Sequence, residues 1–346
     1  MPKVSLISSD NQKVEFDCSF DETVVDAAEK AGYYLQAQCN QGSCGACLAQ
    51  SSKPKDFFLS SYDKDILNNL DISSGKTLLC RTQVVTDTTF TLPYPRSLIC
   101  ENAPQKREAS ISKIEILNPN TRLLVLQLHE HSEFGLGFDF EPGQFANINI
   151  PNTDISRPYS MGNAPGFTGE LEFYIKLRKN GKFSTFLEEK SSIGQAITLE
   201  GPHGSFILHD NGLKPRLFIA GGCGLASVLA MLRRMAEWQD PQPVTLLFGV
   251  WQQEELFALE EIKALNETIP QLNVRIFVAE AQSESCSFPI ESSSLIDALK
   301  LIINKKTTNT DVYICGSSGL VNTCKDYCLS QDVDERNIYF EHFNNY

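Results

Sequence analysis

Hydrophobic and polar positions change their period along the chain, and each change marks a new kind of element. Two short strand-like runs, Val4–Ile7 and Val14–Phe16, flank the polar stretch Ser9-Asp10-Asn11-Gln12, a pattern that predicts a hairpin. Asp21 is the expected N-cap of a helix that carries Val24, Ala27, Ala28 and Ala31 on one side and stops at Gly32. A loop rich in glycine and cysteine follows. Near Pro93-Tyr94-Pro95, and again at Ala103-Pro104, the composition turns to that of a linker.

From about 106 to 210 the apolar runs are short and alternate: Leu123–Leu128, Phe145–Ile150, Leu171–Leu177 and Ala196–Leu199. Pro142-Gly143, Asn180-Gly181 and Gly201-Pro202 punctuate them, which predicts a small antiparallel barrel. Asn211-Gly212 and Pro215 mark a second boundary. Beyond it, strand-like runs (Leu217–Ala220, Val244–Val250, Val274–Ala279, Val312–Cys315, Ile338–Phe340) alternate with helical stretches near 224–237, 254–266, 293–303 and 318–330. That alternation predicts a parallel sheet covered on both faces. The expected organisation is therefore multi-domain: α+β over residues 1–98, an antiparallel β-barrel over 104–211 and an α/β parallel-sheet domain over 212–346.

Composition narrows the function classes. The 346 residues are 42% hydrophobic, an ordinary globular fraction, with a net charge of −13. Such an acidic chain repels phosphate backbones, so neither nucleic acid nor a membrane surface is the expected partner. The longest apolar stretch, Leu217–Leu232, is broken by glycines and is shorter than the ~20 residues a span needs. The N-terminal residues lack a signal-peptide pattern, so a cytoplasmic location is expected.

In that compartment the 11 cysteines read as metal ligands or catalytic groups before disulfides. Cys18, Cys100, Cys286, Cys324 and Cys328 are expected to be small buried hydrophobes. Cys39-x4-Cys44-x2-Cys47 with a distant Cys80 has the plant-type spacing for a [2Fe–2S] cluster. Small residues at Gly42, Ser43, Gly45 and Ala46 let the loop wrap closely and aim its N–H groups at sulfur. A structural zinc site would more usually pair two short cysteine knuckles, whereas one half here has a single cysteine.

Three further motifs point to dinucleotides. In Arg157-Pro158-Tyr159-Ser160 an arginine can pair with pyrophosphate, a tyrosine can stack on a flat ring and a serine can hydrogen-bond a ring nitrogen or carbonyl. The same four residues also fit an ordinary surface turn after a strand. Gly181-Lys182-Phe183-Ser184 opens a helical-looking Thr185–Lys190, a place where a phosphate, or merely a cap, would sit. Gly221-Gly222-Cys223-Gly224-Leu225-Ala226 lies between strand and helix, where the backbone can approach a phosphate. Cys315-Gly316 ends a later strand at the ligand-binding edge of the sheet. Trp251-Gln252-Gln253-Glu254-Glu255 offers acids and no Arg or Lys, which suits a ribose 2′-hydroxyl and leans towards NADH. His129, His131, His203, His209 and His342 show no ligand spacing and read as structural or solvent-facing.

Taken together these residues resemble the ferredoxin–NAD(P)H reductase superfamily with a plant-type ferredoxin (β-grasp) domain at the N-terminus. The pattern is most similar to the reductase components of soluble methane monooxygenase and related di-iron hydrocarbon monooxygenases. Phe140-Glu141-Pro142-Gly143-Gln144-Phe145 and Phe340-Glu341-His342-Phe343 add to the likeness. The resemblance implies a metal site of Cys39, Cys44, Cys47 and Cys80, and a flavin motif of Arg157, Tyr159 and Ser160 with a pyrophosphate loop at Gly181 and Ser184. It also implies a nicotinamide-nucleotide loop at Gly221, Gly222 and Gly224, and a Cys315-Gly316 pair beside the nicotinamide, with Cys315 in the catalytic position. Two positions depart from the family loop G-G-T-G-x-A-P: Cys223 stands for Thr and Ser227 for Pro. The chain also continues for three residues past Phe343.

The activity so implied is NADH-dependent electron transfer. Hydride delivers two electrons and an iron–sulfur cluster accepts one, so a flavin, expected as FAD, must stand between them. The electrons would leave to the hydroxylase component of a multicomponent monooxygenase, with an exit at the exposed loop near Gln41–Ala46 and the chain itself monomeric. A reductase for a Rieske-type aromatic-ring dioxygenase shares this domain order. A flavin-binding redox sensor without NADH turnover is the alternative of another class.

Overall fold

The structure, a computed structural model, describes residues 1–210, 212–280 and 288–343. It divides into two compact units, one taking in Met1–Pro104 with His203–Ser205, the other Gln105–Pro202 with Phe206–Phe343.

The first unit is a mixed five-stranded sheet gripping one helix. Its strands are β1 (Lys3–Ile7), β2 (Lys13–Asp17), β3 (Leu48–Gln50), β5 (Lys76–Leu78) and β7 (Thr88–Thr91), in the order β2-β1-β7-β3-β5. β4 (Phe57–Leu59) and β6 (Thr82–Val84) form a separate antiparallel pair. The hairpin is as the sequence predicts, with Asn11 in the left-handed turn conformation at φ 60°. Helix α1 (Val24–Lys30) buries Val24, Val25, Ala27 and Ala28, and leaves Ala31 exposed. Its N-cap is Thr23 rather than Asp21: the Thr23 hydroxyl accepts from the Asp26 amide while the Asp26 side chain caps Thr23 in return. That reciprocal box satisfies two end N–H groups and so outcompetes a lone aspartate two residues earlier. A second short helix, α2 (Asn69–Ser73), is capped in the same way by Asn68.

The segment after Pro93 is not a free linker. Tyr94 is 1% exposed, its carbonyl accepts from the Ser9 amide and its hydroxyl from that of Gln36, and Cys100 pairs with Tyr34 through both backbone bonds. That edge position leaves Cys100 exposed, contrary to expectation, whereas Cys18, Cys324 and Cys328 are fully buried. Cys286 and Asn211 lie outside the described residues, as do residues 344–346.

In the second unit the antiparallel strands are β8 (Gln105–Asn118), β9 (Thr121–Leu128), β10 (Phe145–Asn149), β11 (Ser156–Ser160), β12 (Glu170–Lys176) and β13 (Ala196–His203). They run in the order β11-β10-β13-β8-β9-β12, and a Met161–Phe173 bridge closes the ends into the expected barrel. The barrel is filled by Ile111, Leu124, Leu126, Ile148, Phe173 and Ile197 among others. Two bulges, between Ile111 and Lys113 and between Ile116 and Asn118, interrupt β8 and erase the alternation that would have revealed so long a strand. Residues Lys182–Thr185 form a one-turn helix, α3, that widens over Phe186–Lys190.

The remainder is a six-stranded all-parallel sheet: β14 (Arg216–Gly221), β15 (Val244–Gln252), β16 (Leu272–Glu280), β17 (Ile290–Glu291), β18 (Asp311–Gly316) and β19 (Ile338–His342), in the order β17-β16-β15-β14-β18-β19. Helices α4 (Leu225–Trp238), α5 (Leu259–Thr268), α6 (Leu295–Ile302) and α7 (Ser318–Ser330) cover it. Two apolar clusters form on its faces, one around Phe218, Phe248 and the buried side of α4, the other around Leu217, Leu247 and Val312 with α6 and α7. No helix among the described residues is long and apolar enough to cross a membrane.

Candidate functional site

Cys39, Cys44 and Cys47 come from the loop between α1 and β3, and Cys80 from a single turn, Leu79–Arg81, after β5. The loop folds back on itself because Asn40, Gly42 and Gly45 take positive φ. A side chain at Gly42 would meet Arg81 and Tyr62 at about 3 Å, so only glycine lets the loop lie this close. The sulfurs converge: the Cys39 sulfur meets the Cys44 and Cys80 thiols, and Cys47 meets Cys80. Backbone amides point at them, Gln41 and Ser43 to Cys39 Sγ at 3.4 and 3.3 Å, and Cys80 to Cys47 Sγ at 3.5 Å.

The neighbouring thiols, with those amides, hold Cys39 far below an ordinary cysteine against burial, and the same contacts push Cys44 and Cys80 up, so a thiolate at Cys39 is held by its protonated neighbours. Such a thiolate is what a metal–sulfur centre requires. Among the described residues no group of three or more His, Cys, Asp or Glu side chains is gathered to hold one metal ion. Cys39, Cys44, Cys47 and Cys80 with the amides aimed at their sulfurs form an all-thiolate donor set of the kind that would hold a [2Fe–2S] cluster.

In the second unit Arg157, Tyr159 and Ser160 lie on β11 itself and not in a turn following a strand. Their pairing with Phe145–Ile148 of β10 makes the motif one side of the barrel. Tyr159 packs on Phe183 with ring centres 4.8 Å apart, and burial raises its hydroxyl pKa well above the usual range. One Arg157 guanidinium N–H is turned to the Ser156 carbonyl at 2.7 Å. The Ser184 hydroxyl accepts from the Arg178 amide at 2.8 Å, so it closes the Gly181 loop from within.

Gly221, Gly222 and Gly224 carry the chain from β14 through a single turn into α4. A Cβ on Gly224 would sit 2.4 Å from the Cys315 carbonyl oxygen, so the absence of a side chain there is what lets the glycine loop touch the Cys315-Gly316 strand end. Cys315 is fully buried and burial raises its pKa well above the ordinary thiol value, so it is a neutral thiol rather than a nucleophile.

The sequence reading missed the residue that joins these parts. Glu341, on β19, accepts at Oε2 from the Ser160 hydroxyl at 3.2 Å, from the Ser227 hydroxyl at 3.3 Å and from the Cys315 thiol at 3.8 Å. Burial raises the Glu341 pKa to about 7 despite these three donors. The available signal was Glu341 inside the Phe340-Glu341-His342-Phe343 motif, an acid following the apolar run Ile338–Phe340. Of the two acids after β15, Glu255 is engaged within the fold. Glu255 caps the Trp251 and Gln252 amides and pairs with Lys176 Nζ at 3.0 Å, so it is not a free ribose acceptor. Glu280, at the end of β16, stands beside Gln252, 3.4 Å away.

A thiolate cluster loop in one unit and a barrel joined to a glycine-looped parallel sheet in the other define an NAD-dependent iron–sulfur flavoprotein oxidoreductase. Comparisons with known proteins bear this out. Residues 7–85 match the 2Fe-2S iron-sulfur cluster binding domain, 108–207 the oxidoreductase FAD-binding domain and 218–326 the oxidoreductase NAD-binding domain. Methane monooxygenase component C of Methylosinus trichosporium is 38% identical over 267 residues, 77% of each chain. The anthranilate 1,2-dioxygenase electron transfer component of Acinetobacter baylyi is 30% identical over 93% of this chain and 92% of its own. The reductase component of propane 2-monooxygenase of Mycolicibacterium smegmatis is 29% identical over 97% of this chain and 96% of its own. An Amycolatopsis cytochrome P450 reductase shares the fold, with a TM-score of 0.73 over 99% of both chains at 20% identity.

The chain belongs to the family of flavin- and iron–sulfur-dependent reductase components of multicomponent oxygenases.

Proposed function

We propose that the chain passes electrons from NADH through FAD and a [2Fe–2S] cluster to the di-iron hydroxylase of a soluble hydrocarbon monooxygenase of the methane type. The observation that carries this choice is the 38% identity to methane monooxygenase component C, against 30% to the anthranilate dioxygenase component. Residues 1–98 form the ferredoxin domain, 104–211 the flavin domain and 212–346 the nicotinamide domain of this reading.

Cys39, Cys44, Cys47 and Cys80 hold the cluster, and the Gln41 and Ser43 amides aimed at Cys39 stabilise its negative charge. Arg157, Tyr159 and Ser160 receive the flavin, with the Gly181–Ser184 loop at its pyrophosphate. Gly221, Gly222, Gly224 and Gly316 would give the nicotinamide nucleotide close backbone approach, and the Cys315-Gly316 strand end against which Gly224 packs would lie beside its ring. When bound, the flavin takes up hydride and gives up single electrons. The chain itself supplies position, since no side chain need act as general acid or base for hydride transfer. NADH is favoured over NADPH because Glu254 and Glu280 stand near the ends of β15 and β16, where a 2′-phosphate would be repelled. The protein works in the cytoplasm, as a monomer, with the hydroxylase docking at the Gln41–Ala46 loop.

The test is reconstitution with purified oxygenase components. With NADH, the chain should support alkane hydroxylation by a soluble methane monooxygenase hydroxylase, and little or none by a Rieske-type ring dioxygenase. The reverse preference would move the chain to the aromatic dioxygenases, to which the anthranilate relative belongs by name.

A further inference from the structure

We propose that Ser227 is a positioning residue of the hydride-transfer site: its hydroxyl, entering from the first turn of α4, ties the Cys315 thiol to the Glu341 carboxylate and holds that carboxylate against Ser160. This rests on the reading that Ser160 and Cys315 face the flavin and the nicotinamide.

The geometry is a convergence on one atom. Glu341 Oε2, from β19, receives Ser160 from β11 at 3.2 Å, Ser227 from α4 at 3.3 Å and Cys315 from β18 at 3.8 Å. The Cys315 sulfur also lies 4.0 Å from Ser227 Oγ, and its single proton serves either Glu341 or Ser227; turned to Ser227, it lets that hydroxyl accept from Cys315 while it donates to Glu341. Ser227 is 0% exposed, and a buried hydroxyl without a partner would be costly, so this bond accounts for a polar residue at that place. Helix formation does not require it, because the third position of a helix tolerates apolar residues and even proline.

The consequence for the site follows from hydroxyl chemistry. A serine has one proton to donate and two lone pairs to accept with. While Glu341 is ionised, the Ser160 proton is committed to it and Ser160 can only accept from a bound ring. Once Glu341 is protonated, its own O–H can donate to Ser160, and the Ser160 proton is released towards the ring. Ser227 donates to the ionised form and so sets the pH at which Ser160 changes role. Among the described residues, the groups that act on the carboxylate are the Cys315 thiol and the Ser160 and Ser227 hydroxyls, none of them a cation.

The experiment compares Ser227→Ala, Ser227→Thr and Glu341→Gln with the unaltered protein as isolated. The first readout is an infrared pH titration of the protonated carboxyl band that Glu341→Gln removes. The second is the pH profile of flavin reduction by NADH in stopped flow. Loss of one hydrogen bond to the anion should move both midpoints to higher pH by roughly one pH unit in Ser227→Ala, with Ser227→Thr restoring them. An unshifted carboxyl titration in Ser227→Ala overturns the proposal while leaving the reductase reading intact. A shifted titration with an unmoved kinetic profile overturns the positioning role. If the unaltered protein holds no flavin or is not reduced by NADH, the reductase reading itself fails and takes the inference with it.

Discussion

The Arg233 guanidinium donates to the Glu172 carboxylate at 2.7 Å, tying the helix that follows the glycine loop to strand β12 of the barrel. The same side chain reaches the Gly162 carbonyl at 3.0 Å and pairs with Glu261 at 2.6 Å, while the Tyr174 hydroxyl donates to Glu261 at 2.9 Å. One cation therefore joins α4, α5 and the barrel.

Truncating Arg233 to alanine leaves two carboxylates facing each other in a mostly enclosed place. The expected loss is about 2 kcal/mol, between the worth of an exposed ion pair and that of a buried one. Urea denaturation followed by flavin fluorescence measures it. Arg233→Lys should recover only part of the loss, since an ammonium cannot reproduce the planar fork.

At Gly224 even a methyl group has no room. Gly224→Ala would drive its Cβ into the Cys315 carbonyl and push the start of α4 away from the Cys315-Gly316 strand end. The Michaelis constant for NADH should rise by at least about tenfold. Flavin content should be retained, because Arg157, Tyr159 and Ser160 are held by β-sheet pairing with β10 that the shift of α4 does not break.

Cys80→Ser removes the proposed ligand furthest in sequence from the other three. Iron content and the visible iron–sulfur absorption should fall to background. Flavin reduction by NADH should persist, and transfer onward to a one-electron acceptor should fall by at least about tenfold. A parallel metal analysis finding zinc in the unaltered protein would contradict the cluster reading.

Burial of Glu341 has a stability consequence with a definite sign. Its pKa rises from the ordinary 4.5 to about 7, so the folded chain holds a proton there that the unfolded chain has released. The stability this proton confers is fully present below pH 4.5 and is lost as pH rises to about 7. Between pH 5 and pH 8 the unaltered protein should therefore lose about 2 kcal/mol more than Glu341→Gln. Equal slopes of unfolding free energy against pH in the two proteins would rule the buried acid out.

Much of this was legible in the sequence because the signals were local. The cysteine spacing Cys39, Cys44, Cys47 lies within one loop, and the change from short alternating runs to strand–helix alternation is set by the period of apolar residues. What escaped was set by competition or by distance. Thr23 took the cap from Asp21 because Asp26 completes a reciprocal box. The Arg157–Ser160 motif also fits a turn because Pro158 has no N–H to give a ladder, and only pairing with β10 makes it a strand. Strand β8 was hidden by its two bulges. Glu341 meets Ser160 across 181 residues, a relation that no local pattern can carry.

The central claim is that NADH reduces the flavin and the flavin reduces the cluster within this one chain. An anaerobic NADH titration followed by visible absorption and EPR tests it most directly. The account predicts bleaching of the flavin together with the appearance of a reduced [2Fe–2S] signal. Bleaching without any iron–sulfur signal would contradict it, since the four thiols would then hold something other than the cluster that carries the electron out.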